Sequence, residues 1–206
     1  MINNVETLVA VGQVLELGAD TFAARGTEGS AGPKLFCVSG AVTRPGVFEV
    51  DFGATLGELI DLAGGVTSGR RLRAILLGGA AGSLVRPDRL DLPLTFEATR
   101  AAGLTVGSGA IVVFDESADL AQIVLRIARF FREESCGQCV PCRVGTVRQE
   151  EALKRLFSKS PAGSREAELE LLGEVAQVMR DASICGLGQT AANAVQSALI
   201  EIGDLR

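Results

Sequence analysis

The spacing of apolar positions changes several times along the chain. Val5, Leu8, Val11 and Leu15 recur at helical intervals, so residues 4–24 read as a helix. Asn3 or Asn4 can cap it, because an Asn side chain accepts bonds from the first free amides. A glycine-rich connector follows over residues 25–33. From Lys34 the texture becomes extended. Residues 35–42 and 47–50 read as two strands of a hairpin, joined at Thr43-Arg44-Pro45-Gly46, where Pro45 presets the turn. Residues 55–63 read as a short helix with Leu56, Leu59 and Ile60 on one face. Thr55 and Glu58 have capping-box spacing, and Gly64-Gly65 stops the helix. Residues 74–77, 90–94 and 110–114 are further extended pieces. Hairpin, helix and later strands predict a compact α+β domain over residues 34–115.

After Asp115 the helical interval returns. Leu120, Ile123, Val124, Ile127, Phe130 and Phe131 mark a strongly amphipathic helix. A second is expected over residues 143–158, then a turn at Pro161 and Gly163. A third carries Leu169, Leu172, Val175 and Met179. A fourth starts near Gln189 and carries Ala192, Val195, Leu199 and Ile202. Four helices with short connections predict a four-helix bundle over residues 116–206. Residues 1–33 then stand apart as an N-terminal helix and linker.

Composition narrows the chemistry. The chain has 206 residues, 47% hydrophobic and 22% charged, which fits a globular protein and not a disordered one. It has no histidine, which excludes a Ser-His-Asp triad, a Cys-His pair, an HExxH zinc site and histidine-ligated haem. A net charge of −5, with no dense Lys/Arg run, gives no footprint for nucleic acid. No window of uncharged apolar residues is long enough for a membrane span. Asn3, Asn4 and Glu6 stand where a signal peptide would place basic residues. The five cysteines are an odd number, which argues against a disulfide framework and for a reducing, cytoplasmic location.

Cys136, Cys139 and Cys142 follow one another at Cx2Cx2C spacing. A lone zinc ion takes local cysteines in pairs, so a third at this spacing suits it poorly. A cubane iron-sulfur cluster wants one thiolate at each of four irons, and bacterial ferredoxins use this spacing for three of them. In those proteins the next cysteine serves a second cluster; here position 146 is Thr. One cluster with a remote fourth ligand is the expectation, and Cys185, in Ser183-Ile184-Cys185-Gly186-Leu187-Gly188, is the candidate. Cys142 is expected just before the second bundle helix and Cys185 between the third and fourth, near helix N-termini that favour thiolates. The competing readings are a structural zinc site, or thiols that merely fill a core. Cys37, remote in sequence and inside an expected strand, reads as a buried structural thiol.

Other candidate motifs carry less. Gly78-Gly79-Ala80-Ala81-Gly82 follows a strand, but no helix opens after it to hold phosphate, so it reads as a plain turn. Gly107-Ser108-Gly109 precedes a strand, the wrong order for a dinucleotide fingerprint. Arg70, Arg71 and Arg73 read as a solvated basic rim, with an acidic partner surface as the other option.

Four stretches together resemble a known family. They are Asn3-Asn4-Val5-Glu6-Thr7-Leu8, residues 38–47 (VSGAVTRPGV), residues 134–143 (ESCGQCVPCR) and residues 185–191 (CGLGQTA). In this order they resemble the NADH-oxidising flavoprotein subunit of respiratory complex I. Its relatives are the diaphorase subunits of NAD-linked hydrogenases and NAD-dependent formate dehydrogenases. The resemblance implies a soluble ligand-binding β-grasp (SLBB) domain, then a helical domain with one [4Fe-4S] cluster on Cys136, Cys139, Cys142 and Cys185. It also implies that Asn3, Asn4 and Thr7 contribute to an FMN site, although helix capping explains them as simply. The family's large FMN- and NADH-binding domain has no counterpart here, so the resemblance implies a fragment, a split subunit or a trimmed product, not active by itself. Implied partners are a flavin-bearing domain or subunit and a thioredoxin-like ferredoxin subunit, with any attachment to the inner membrane made through the complex. The function implied is electron transfer from NADH through FMN to the cluster and onward. The alternative is a non-catalytic β-grasp interaction module with structural zinc.

Overall fold

The computed structural model describes residues 2–158, 164–202 and 205. The turn expected at Pro161 and Gly163 lies outside the described residues. The first expected helix is broken in two, α1 (Val5–Leu17) and α2 (Ala19–Ala23). Gly18 separates them at φ 87°, a conformation that ends a helix and that glycine adopts without strain. The Asn4 side chain caps α1 by accepting from the Glu6 amide at 2.8 Å. No residue of α1 is buried; Val5 is 71% and Leu15 82% exposed. Its apolar face has no cover within the described chain.

The sheet is built from β1 (Pro33–Gly40), β2 (Gly46–Asp51), β3 (Leu72–Leu77), β4 (Ser83–Val85) and β5 (Ala110–Asp115). Their spatial order is β2-β1-β5-β3-β4. β1 and β5 run parallel at its heart, and every other pair is antiparallel. Helix α3 (Leu56–Leu62) crosses between the hairpin and β3, giving the β-grasp arrangement. Thr55 and Glu58 form the expected capping box, with amide-to-side-chain distances of 3.2 and 2.7 Å. Two elements were not expected: three-residue β4, and six-residue α4 (Phe96–Ala101).

Residues 90–94 do not join the sheet as a strand. A 3-10 turn, Pro87–Arg89, precedes them, and only an isolated Thr55–Pro93 bridge forms. Pro93 has no N–H to give a ladder, and Leu92 and Leu94 plug the core beside α3 instead.

The bundle consists of α5 (Leu120–Glu134), α6 (Val140–Ser158), α7 (Arg165–Ala182), α8 (Gly186–Thr190) and α9 (Asn193–Ser197), which runs into a π-helical turn, Ala198–Ile202. The fourth expected helix is thus in three pieces. It starts earlier than expected, at Gly186. No helix among the described residues is long and apolar enough to cross a membrane.

Both faces of the sheet are used. Phe36, Val38, Ile75, Leu77, Ile111 and Val113 pack on Leu56, Leu59 and Ile60 of α3. On the other face Ala74, Leu76 and Leu84 join Leu120, Val124 and Val195 in one core with the helices. Polar ties cross the same junction. The Leu84 amide donates to Ser197 Oγ at 2.9 Å, and Asn193 Nδ2 donates to the Ala81 carbonyl at 2.9 Å. The helices cover only the β5-β3-β4 half of this face. On the hairpin half Val47 is 64% exposed, and Cys37 is exposed rather than buried as expected. Phe36 and Val38 point inward, so strand alternation turns Cys37 outward onto the uncovered half.

Of the basic trio, Arg70 and Arg71 lie exposed on the rim as expected, and Arg73 is half-buried. Arg70 pairs with Asp115 at 3.2 Å and Arg71 with Glu116 at 3.5 Å, while Arg73 donates to the Ala118 carbonyl. It ties β3 to the segment leaving β5.

Candidate metal centre

The cysteine loop leaves α5 at Glu134 and enters α6 at Val140. Gly137, at φ 74°, makes the sharp bend between Cys136 and Cys139. Arg143 reaches back to donate to the Gly137 carbonyl at 3.0 Å, and its amide donates to the Cys139 carbonyl at 3.0 Å. Helix α6 begins three residues before the expected start, because Pro141 suits a first turn where its missing N–H costs nothing. Cys142 therefore lies inside the first turn of α6 and not ahead of it.

Cys185 immediately precedes α8. Helix α8 lies hard against the start of α6. A Cβ on Gly188 would fall 2.3 Å from Ser183 Oγ and 2.9 Å from Cys142 Cβ, so only glycine permits this approach. The contact sets α8, which Cys185 precedes, against Cys142, and the Cys142 thiol feels Cys185 electrostatically. Cys142 is buried, Cys139 is half-buried, and Cys136 and Cys185 are exposed.

The thiols feel opposing influences. The Cys139 thiol is pulled below its ordinary value, first by the backbone amide of Ile184 and then by that of Cys142. The buried Ser183 hydroxyl has no hydrogen bond of full geometry, yet lies close enough to favour the Cys139 thiolate as well. The Cys142 thiol is pushed up, chiefly by burial, and further by negative charge on Cys139, Cys185 and Cys136. Ser135 Oγ, 3.3 Å from Cys142 Sγ, acts in the opposite sense. Thiolates gathered in partial burial repel one another, and bound cations relieve that repulsion.

Among the described residues no three Cys, Asp or Glu side chains converge tightly enough to hold a single metal ion. The four sulfurs are not a ready-made single-ion site. The donor set is all thiol, with amide and hydroxyl donors behind it, and that chemistry fits an iron-sulfur cluster. The supporting residues Ser135, Ser183 and Gly188 were not identified from sequence. The Gly-x-Gly following Cys185 was the available signal for the last.

Asn3 and Thr7 are exposed at the start of α1, and the Asn4 side chain is engaged in capping. Glu6 ties this turn to β1 through Lys34 Nζ at 2.9 Å.

Comparison with known proteins matches these two parts of the chain separately. Residues 122–204 match the NADH-ubiquinone oxidoreductase-F iron-sulfur binding region. Residues 35–84 match the SLBB domain. The chain carries both of these domains. Its cofactor is accordingly a [4Fe-4S] cluster. The F subunit of NADH-quinone oxidoreductase from Mycobacterium tuberculosis (strain ATCC 25618 / H37Rv) is 39% identical over 204 residues, covering 99% of this chain and 45% of the relative. The HndC subunit of the NADP-reducing hydrogenase from Solidesulfovibrio fructosivorans is 34% identical over 200 residues, covering 97% of this chain and 40% of the relative. A crystal structure of NAD+-reducing [NiFe]-hydrogenase in the H2-reduced state superposes with a TM-score of 0.87 at 38% identity, over 100% of this chain and 34% of that one. The chain spans about half the length of the curated relatives it matches, and it corresponds to their C-terminal part. The iron-sulfur binding region contains all four clustered cysteines, and Cys37 falls in the SLBB domain.

Proposed function

We propose that the chain is an electron-transfer module, with Cys136, Cys139, Cys142 and Cys185 as the four ligands of its [4Fe-4S] cluster. The observation that supports this reading is the close packing of α8, which Cys185 precedes, against Cys142 at Gly188. When bound, such a cluster supplies one-electron storage and transfer. The residues around it set its surroundings. Cys142 withdraws one thiolate from water, and the amides of Ile184 and Cys142 and the Ser183 hydroxyl offset negative charge at Cys139. The exposed sides, Cys136 and Cys185, are where electrons enter and leave.

The wider reading is that these electrons originate on NADH and pass through FMN held by a flavin-bearing domain or subunit. The uncovered apolar face of α1 is the surface we assign to that domain, with Asn3 and Thr7 available to it. The onward acceptor is a thioredoxin-like ferredoxin subunit of the same complex. We also propose residues 34–115 as the β-grasp domain and 116–206 as the cluster domain, packed through a shared core.

Serine substitution tests the ligand assignment. Cys139→Ser and Cys185→Ser should each sharply reduce iron and sulfide per chain, while Cys37→Ser leaves both unchanged. Full iron occupancy in both ligand variants would overturn the assignment.

A further inference from the structure

Helix α5 carries Arg126, Arg129 and Arg132 at intervals of three, which places them along one stripe about 9 Å long at 1.5 Å per residue. Lys154 of α6 faces the same groove, whose volume is about 450 Å³. Two carboxylates lie among them. Glu150, with its side chain 3% exposed, is gripped by Arg132 at 2.9 Å and Lys154 at 2.7 Å. Glu133, on the rim, meets Arg129 at 2.7 Å and Arg132 at 3.3 Å. Four cations against two carboxylates leave a local positive excess on a chain whose net charge is −5. Arg126 has no ion pair among the described residues.

We propose that this groove docks the acidic surface of an electron-transfer protein. That the partner is a redox protein rests on the electron-transfer reading above; the charge preference does not. A compact anion needs several donors converging on one point, and here two of the four cations are spent on Glu150, whose carboxylate would lie beneath it. An extended acidic surface instead matches a linear array. It can pair with Arg126 directly and exchange with the exposed Arg129–Glu133 pair, which holds little energy of its own. The stripe also ends four residues before exposed Cys136, a span of at most about 14 Å of extended chain. A partner seated on it therefore lies beside the metal centre. Exposed complementary charge of this kind speeds encounter and is screened by salt.

The probe is a dye-labelled, strongly acidic plant-type [2Fe-2S] ferredoxin, with binding read by fluorescence anisotropy at low ionic strength. The full chain should bind it, and Arg126→Glu with Arg129→Glu should weaken binding about tenfold or more. High salt should abolish the difference. No binding by the wild type, or equal binding by the doubly substituted protein, would overturn the proposal. So would displacement by inorganic pyrophosphate at submillimolar concentration, which would make the groove a small-anion site. The readout needs no iron bound to this chain. Failure to load a cluster would sink the electron-transfer reading while this test still stands, and loss of docking with iron intact would sink only the docking surface.

Discussion

At the scale of single residues, the centre depends on neighbours as much as on thiols. Cys142 is buried where its thiolate is disfavoured, and Cys139 lies where amides favour the charged form. That asymmetry follows from which cysteine enters the helix: Cys142 sits inside the first turn of α6, and Cys139 outside it. Gly188 lets α8, which follows Cys185, sit directly against Ser183 and Cys142. Gly188→Ala should push α8 away from Ser183 and Cys142, because the added methyl has no space. The expected cost is about 1–3 kcal/mol of stability, typical of overpacking, together with weaker iron retention. Thermal unfolding and iron analysis on the same preparation check both. An unchanged melting temperature with full iron would mean that this contact does not position Cys185.

Among elements, the junction from β5 to α5 couples the two halves of the molecule. Asp115 ends β5 and accepts from the Ser117 hydroxyl at 2.6 Å, from the Ser117 amide at 2.9 Å and from Arg70 at 3.2 Å. Its carboxyl is held below the ordinary value, chiefly by the Ser117 hydroxyl, then by the Ser117 amide and Arg70. A carboxyl depressed by folding stabilises the native state above its unfolded value of about 3.9, and that stabilisation is lost as pH falls through the folded value. Asp115→Asn should therefore be less stable than wild type at neutral pH, with the two melting curves converging below about pH 4. A gap constant from neutral to acid pH would contradict this.

The elements also show what the sequence could reveal. Helix α5 was legible because Leu120, Val124, Ile127 and Phe131 keep one period over about three turns and all four are buried. The α3 capping box was legible because its signal is local. β4 was missed because three residues after a glycine turn carry no period. Cys37 was misread because its exposure depends on how far the bundle extends over the sheet, which no local pattern states. The arginine stripe of α5 forms no basic run in the sequence, because helical spacing spreads it among apolar residues. The cysteine loop was legible in its spacing, whereas Ser135 and Ser183 became visible only once α7 and α8 were placed against α6.

Over the whole molecule, the sheet and the helices share a core, and three surfaces stay open among the described residues. These are the α1 face, the outer half of the hairpin, and the cationic groove beside the cysteines. The chain spans about half the length of its curated relatives, and the proposed electron-transfer role rests on the four cysteines near its surface. The most direct test of that account is a combined assay of iron, acid-labile sulfide and zinc on anaerobically purified protein, with its visible spectrum. The account predicts about four irons and four sulfides per chain and a broad absorbance that bleaches on reduction. Stoichiometric zinc with no sulfide would contradict it and leave a β-grasp interaction module with a structural metal.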